Sequence, residues 1–461
     1  MISTVDLTTE QKRAYSQIMN FIREEYQNIM TIEGYAGTGK SYLICKLAED
    51  LNKQEETICI SAPTNKACKV IRNFIYNLNP CLLRKISILT CARLLGLKPK
   101  YDYKKDKEVF TVDKGSINRI YDFSLIIIDE ASMVPKYLFD VFYNHFSSSG
   151  LINNQNLIFV GDPCQLPPVG ETMSLCFSDI FPKARLTDII RYKGTILKVS
   201  KKIRDYQTQN KLISRINEDT IDGKGVMDLK ENDWIQSLID HYKDEKYKID
   251  TDYCRSLVWT NREVSRINSL VRTSIYGKDA PPYIEGETLV ADSTCLEVPS
   301  IKNSSVILSS SEEFIIDKVE PHYFENKLFP HITWRGYNLY GRNESGNEYI
   351  IRVIDPFDKD SYDKCVKEVR TKVEKNNFDK RKRPNYLDYY KISRTFHPVK
   401  YSYCMTVHKS QGSTYENVFI NAKEIRSIIN MKGTNSKSLE EMYKLLYVAI
   451  TRAKENVYLL Q

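Results

Sequence analysis

Short apolar runs, each closed by a polar segment, recur along the first part of the chain. They are Ile29, Met30 and Ile32 within Gln27–Glu33, then Thr57–Ser61, Ser124–Ile128 and Asn156–Val160. Continuous apolarity over so few residues predicts strands buried on both faces, as in a parallel sheet. Between the runs the period changes. Leu43, Ile44, Leu47, Ala48 and Leu51 fall at helical spacing within Ser41–Leu51 and predict an amphipathic helix. Strands alternating with helices predict an α/β fold with a doubly wound sheet, whose ligands bind beyond the carboxyl ends of the strands. A second alternation opens with a strand at Ser256–Thr260 and a helix at Arg262–Ile275, and resumes at Val418–Asn421 and Val457–Leu460. The stretch between is richer in β-type runs, such as Phe314-Ile315-Ile316 and Tyr349–Ile354, before a charged helical segment from Asp360 to Tyr390. Residues 291–394 therefore read as an insertion with its own small β fold. A smaller insertion, 98–122, predicts a hairpin around the β-prone Glu108–Val112.

The polar segment after the first strand is the most informative. Gly34-Tyr35-Ala36-Gly37-Thr38-Gly39-Lys40-Ser41 fits G-x-x-x-x-G-K-[ST], and it lies between a strand and a helix as phosphate binding requires. Glycines let backbone N–H groups converge on phosphate oxygens, and the helix N-terminus adds positive potential. Lys40 would reach the β- and γ-phosphates, and the Ser41 hydroxyl would bind Mg²⁺. Asp129-Glu130, closing the third run, supplies the other half of a nucleoside-triphosphatase site. Asp129 would hold Mg²⁺ through water and Glu130 would deprotonate the attacking water. ATP or GTP with Mg²⁺ is the expected cofactor set.

With these motifs in order, the chain resembles the superfamily 1 helicases, and among them the RecD/Dda-type members of group B. Leu7-Thr8-Thr9-Glu10-Gln11 resembles the motif whose glutamine reads adenine, which implies ATP preference through Gln11. Gly34, Ala36, Gly37, Thr38, Gly39, Lys40 and Ser41 match the first nucleotide motif, and Asp129-Glu130-Ala131-Ser132 the second. Gly161–Val169 resembles the third, where the resemblance gives Gln165 the task of sensing the γ-phosphate and coupling it to bound nucleic acid. Leu186–Arg191 resembles the motif that supplies one arginine, Arg191, to the nucleotide. Thr406–Thr414, with Gln411 and Gly412, and Leu446–Ala453, with Arg452, are similar to the last two motifs. An arginine that completes such a site contributes roughly 10³–10⁵ in rate in related enzymes.

The resemblance implies two RecA-like P-loop domains with parallel sheets: residues 1–185 with the 98–122 hairpin, and 186–290 joined by 395–461. It implies that 291–394 is SH3-like with a helical extension, and that the hairpin is a strand-separating pin. Thr64, Asn65, Thr90, Thr260, Asn261, His408 and Ser410 would contact the sugar–phosphate of a single strand, because hydroxyls, amides and helix N-termini grip phosphate without reading sequence. The implied activity is ATP-dependent 5′→3′ translocation on single-stranded DNA with opening of tailed or forked duplexes. A single-strand-binding or replication protein is a further candidate partner, and a monomer is the expected functional state. Thr90-Cys91-Ala92-Arg93-Leu94 departs from the family's T-I-H-x-L by lacking the histidine.

Composition changes this picture little. The chain has 461 residues, 67 basic and 59 acidic, a formal charge of +8 that is compatible with nucleic acid without demanding it. Its 11 cysteines form no C-x-x-C pair, so buried reduced thiols are expected and structural zinc is not. No apolar run approaches the roughly 20 residues that span a bilayer, and the polar N-terminus lacks a signal-peptide core, so a cytoplasmic protein of a bacterial or phage-infected cell is expected. The basic run Lys380–Pro384 reads as solvated surface. Three other readings stay open: an RNA helicase, a translocase that does not unwind, and a nucleotide-gated binding module.

Overall fold

A computed structural model describes residues 7–24, 28–102, 107–112, 117–147, 154–168, 170–178, 181–190, 194–209, 211–212, 215–217, 219–296, 306–326, 329–343, 346–376 and 386–461. Arg191 and the basic run at 380–384 lie outside these residues. The chain divides into two compact units, residues 1–264 with 405–461, and residues 265–404.

The first unit contains two six-stranded sheets. In the first sheet the order is Ser87–Thr90, Ile58–Ala62, Leu125–Ile128, Asn156–Gly161, Ile29–Gly34, Lys183–Leu186, and every neighbouring pair is parallel. The buried runs predicted from apolarity form its centre, with Ile126, Ile127, Leu157, Ile158, Phe159 and Val160 wholly buried. Helices cover both faces, so strand side chains have no polar side on which to alternate. The helix Lys40–Asn52 buries Leu43, Ile44, Leu47, Ala48 and Leu51, the face its spacing dictates. Strands Leu97–Asp102 and Lys107–Val112 pair antiparallel from Leu97↔Val112 to Asp102↔Lys107.

The second sheet has the order Cys404–Thr406, Cys254–Val258, Tyr415–Asn421, Ala453–Leu460, Lys224–Leu229, Asp219–Ile221. Its described pairs are parallel except the last, an antiparallel edge closed by Asp222 and Gly223. The helices Thr195–Thr208, Ala422–Lys432 and Ser436–Ile450 pack on it. Their buried residues Ile203, Ile425 and Leu446 share one core with Val418 and Val457. The two sheets with their helices are the two RecA-like domains of an α/β fold.

The second unit is built on a five-stranded antiparallel sheet, Glu348–Ile354, Phe329–Asn343, Glu313–Asn326, Thr288–Ala291, Val399–Tyr401. Here alternation is plain: Phe314 and Ile316 are buried while Ile315 between them is 39% exposed. Thr288–Ala291 and Val399–Tyr401 complete this sheet, which is why the unit runs from 265 to 404, wider than 291–394. Helices Lys359–Asn376 and Tyr386–Ser393 belong to the same unit.

Candidate active site

The phosphate loop leaves the strand Ile29–Gly34 where its two neighbours in the sheet, Asn156–Gly161 and Lys183–Leu186, lie on opposite sides of it. The connection from this strand runs to Ile58–Ala62 on one side, and that from its neighbour Asn156–Gly161 runs to Lys183–Leu186 on the other, so a crevice opens beyond their carboxyl ends. Gly37 and Gly39 have φ of 83° and 80°, the left-handed region that glycine enters without cost. Lys40 Nζ donates to Gly34 O at 2.7 Å and to Tyr35 O at 2.9 Å, so its ammonium is held over the loop it is expected to serve. Gln11 ties the first helix to the same loop. Its side chain closes a capping box with Thr8, and Nε2 donates to Thr38 O at 3.1 Å. Each end of that amide keeps one further hydrogen-bonding capacity for a base. Glu10 accepts the amides of Thr187 and Asp188, and Ile190, next to Arg191, donates its amide to Gly37 O at 2.7 Å.

Asp129 is 6% exposed at the end of Leu125–Ile128, and its Oδ1 accepts the Glu130 amide at 2.9 Å. Burial, and then the charge of Asp129, push the Cys45 thiol on the phosphate-loop helix Lys40–Asn52 up to about 12. Glu130 has φ 52°, a left-handed backbone that costs a residue with a side chain about 1–3 kcal/mol. Strain at this position marks a residue whose direction is imposed by its surroundings. Gln165 is 5% exposed, and its Oε1 has no hydrogen-bond partner among the described residues. An orphaned buried acceptor-bearing amide at this point fits a group that meets a ligand. Lys40, Ser41, Asp129 and Gln165 therefore form a donor and carboxylate set that suits a magnesium nucleoside triphosphate. Among the described residues, no cluster of His, Cys, Asp or Glu could hold a metal on protein ligands alone.

The second sheet reaches into this site. Gln411 Nε2 donates to Leu166 O at 3.2 Å, and Lys444 Nζ to Thr172 O at 2.9 Å. Tyr447 OH donates to Asp162 Oδ2 at 2.8 Å, and the same oxygen accepts the Ala36 amide of the phosphate loop at 2.8 Å. Arg452 is 2% exposed and donates to Val448 O, Ser413 O and the Thr451 hydroxyl, groups of its own domain at and near the end of the helix Ser436–Ile450. Gly412, φ 80°, turns the chain between these bonds. Sequence reasoning gave Asp162, Tyr447 and Lys444 no role of their own. The available signal for Asp162 was an acid near the start of a motif, directly after a buried strand.

The residues expected to grip nucleic acid share one device. Thr64, Thr90 and Thr260 stand at the carboxyl ends of their strands and accept the amides of Ala67, Arg93 and Glu263. Thr406 does the same for Lys409, a fourth cap that sequence reasoning left unassigned. Two of the expected residues already have protein partners. Ser410 is fully buried, and its hydroxyl donates to Val407 O, so its side chain meets no strand at the surface. The Thr260 hydroxyl donates to Glu424 Oε1 at 2.6 Å, and the Glu424 carboxylate also takes the amides of Trp259 and Thr260. A carboxylate thus already fills the place expected for a phosphate there. Asn65 and Asn261 are exposed at these helix starts. Burial lowers the pKa of His408, with Lys432 adding to it against Glu441, so the imidazole is neutral near pH 7.

A phosphate loop, an Asp-Glu pair closing the strand two places away in the same sheet and a second RecA-like domain bonded across the cleft define a two-domain P-loop nucleoside triphosphatase. Comparison with known proteins agrees. An AAA domain model matches residues 6–237, just over half of the chain, and a UvrD-like helicase C-terminal domain model matches 401–460. An uncharacterized protein of Acanthamoeba polyphaga mimivirus is 27% identical over 97% of this chain and 98% of its own length. The ATP-dependent DNA helicase dda of Enterobacteria phage T4 is 24% identical over 98% of this chain and 99% of its own. A Pif1 helicase solved in a study of unwinding at forked duplex DNA superposes with a TM-score of 0.51 at 16% identity, covering 99% of this chain and 92% of that one. The chain belongs to the superfamily 1 helicases of group B, with the RecD, Dda and Pif1 proteins. Among the described residues, no helix is long and apolar enough to cross a membrane.

Proposed function

We propose that this chain is an ATP-dependent DNA helicase that moves 5′→3′ along single-stranded DNA and opens tailed or forked duplexes. The observation that carries the reading is the bonding of the phosphate loop to the second domain, through Asp162, to Tyr447 on the helix that leads to Arg452. A change in the loop on nucleotide binding therefore acts on a bond that this helix shares. In this reading Lys40 holds the β- and γ-phosphates, Glu130 takes the proton of the attacking water, and Gln165 senses the γ-phosphate. Mg²⁺ held by Ser41 and Asp129 supplies charge neutralisation between the phosphates. Arg452 has to exchange its bonds to Val448 and Ser413 for the transferring phosphoryl, and Arg191 supplies the second positive charge. Domain closure and hydrolysis are then one event, and product release reopens the cleft. Asn65 and Asn261, with the capped helix starts at Thr64, Thr90 and Thr406, grip the strand, and neutral His408 offers it a hydrogen bond. We read the 97–112 hairpin as the pin and the five-stranded unit as SH3-like.

Strand displacement with ATP and Mg²⁺ tests this on two duplexes, one with a 5′ and one with a 3′ single-stranded tail. Opening of the 5′-tailed duplex alone is expected. Opening of the 3′-tailed one alone overturns the polarity, and DNA-stimulated ATP turnover without displacement leaves a translocase.

A further inference from the structure

Beyond the residues expected to meet the nucleotide, a buried cluster joins the two domains at the second and third residues of the phosphate loop. Asp162 is fully buried, and both carboxylate oxygens are engaged. Oδ1 accepts the Cys164 amide at 2.9 Å, and Oδ2 accepts the Ala36 amide and the Tyr447 hydroxyl, each at 2.8 Å. Tyr447 is itself fully buried, with its oxygen 3.1 Å from the Ala36 nitrogen. One residue earlier in the loop, the ring of Tyr35 is covered by the Arg204 guanidinium at 3.5 Å. Arg204 comes from the helix Thr195–Thr208 of the second domain and also faces the Tyr447 ring at 5.8 Å. It is 9% exposed, and its Nη1 has no hydrogen-bond partner among the described residues.

A buried carboxylate and a buried guanidinium thus stand on either side of a two-residue stretch of loop, one from each domain. Their responses to a triphosphate differ in sign. Added negative charge beside the loop repels Asp162 and attracts the unpartnered donor of Arg204, and low local dielectric strengthens both effects. Tyr447 is bonded to the first and packed near the second, and its helix, Ser436–Ile450, runs directly into Arg452.

We infer that Asp162, Tyr447 and Arg204 form a latch between the domains, which converts the charge at the phosphate loop into the placement of Arg452. They are positioning residues and touch no reacting atom. The inference rests on the ATP-driven reading above and deepens it by naming the group that regulates closure. With the Tyr447–Asp162 bond made, Arg452 keeps its bonds to Val448 and Ser413 of its own domain. When the triphosphate turns Asp162 away and engages Arg204, the Tyr447 helix is released and Arg452 follows.

The test uses the full chain and Tyr447→Phe, which keeps the ring beside Arg204 and removes the hydroxyl. In nucleotide-free protein, amide exchange in the segment 34–41 should quicken by about tenfold, because the Ala36 amide loses the partner that fixes its acceptor. Turnover with single-stranded DNA should fall by about tenfold in kcat, with KM for ATP within about threefold of the parent. Asp162→Asn should act on the same pathway, so the double variant should be no worse in kcat than either single one. Unchanged exchange and kcat in Tyr447→Phe, or losses that multiply in the double variant, overturn the latch. A parent protein with no DNA-stimulated turnover would instead sink the motor reading, while the exchange comparison still decides whether the hydroxyl holds the loop.

Discussion

Replacing Gly39 by alanine should weaken the first domain by an amount that can be built from its surroundings. Gly39 caps the phosphate-loop helix at φ 80°, ψ 26°, where an L side chain costs about 1–2 kcal/mol. A Cβ at this position would overlap Gln11 Nε2 and stand 3.3 Å from Ile190 Cδ1. Gln11 is the flexible partner, so it would swing aside and give up its bond to Thr38 O, worth about 0.5–1.5 kcal/mol. The alanine also narrows the unfolded ensemble, which returns about 0.4–1 kcal/mol. The net expectation is a loss of roughly 1–2 kcal/mol. A cycle of Gly39→Ala, Gln11→Ala and the double variant, run as urea titrations with equal m values, separates the two causes. With Gln11 already truncated the glycine change should cost about 1 kcal/mol less, since only the backbone strain remains. Equal cost in both backgrounds, within about 0.5 kcal/mol, would refute the steric half of the argument. No cost in either would refute the left-handed requirement itself.

Glu130→Gln should still bind ATP but lose turnover by about 10²–10⁴, and a near-normal rate would remove Glu130 as the base. Glu130→Gly should be equally inactive yet no less stable than the parent, because glycine is at ease at φ 52°; a clear fall in melting temperature would contradict the strain. In the second unit Arg272 pairs with the buried Glu287 at 2.9 Å, and Tyr403 donates to the same oxygen at 3.0 Å. Arg272→Ala should cost about 3–5 kcal/mol by stranding that carboxylate, whereas removing both charges for apolar residues should cost far less; similar losses would argue against a buried-charge origin. His397 accepts the Arg352 amide at Nδ1, so Nε2 carries the proton that Leu296 O accepts. Burial, and then the charge of Arg352, lower its pKa against the opposing bond to Leu296. The unfolded chain therefore binds the proton first, and stability held above about pH 6.5 should decline as pH falls from there to the lowered folded value, then level off. A melting temperature for this unit with no such dependence in the parent, or with the same dependence in His397→Gln, would refute the assignment.

Much of the nucleotide site was legible because it is local. A strand buried on both faces reads as an unbroken apolar run, and a glycine loop between strand and helix has one chemical use. The weaker strands were not legible for the same reason. Lys183–Leu186 and Lys224–Leu229 pair at or near the sheet edges and carry Arg185 and Asp228 on exposed or half-buried faces, so neither shows an apolar run. The bounds of the second unit were missed because Thr288–Ala291 is as buried as a parallel strand, and only its pairing with Glu313–Asn326 reveals which sheet it joins. Contacts between Ala36 and Tyr447, or between Thr260 and Glu424, leave no period in the sequence at all.

The nucleic-acid face follows from that distinction between local and distant chemistry. Threonine at a strand end followed by a helix is a local device, and it recurs at Thr64, Thr90, Thr260 and Thr406. Each cap satisfies one of the orphan amides of its helix, and in the proposed function the phosphate grip would come from the remaining amides of these helix starts more than from the hydroxyls. At Thr260 a distant residue, Glu424, has spent that capacity on a carboxylate. In the proposed function, a strand crossing the second domain would then be held chiefly near Thr406 and His408, on the turn that continues through Gln411 to Leu166. Grip and nucleotide sensing on that domain would then share one short segment, so that hydrolysis in the cleft would loosen one handhold while those at Thr64 and Thr90 stay closed.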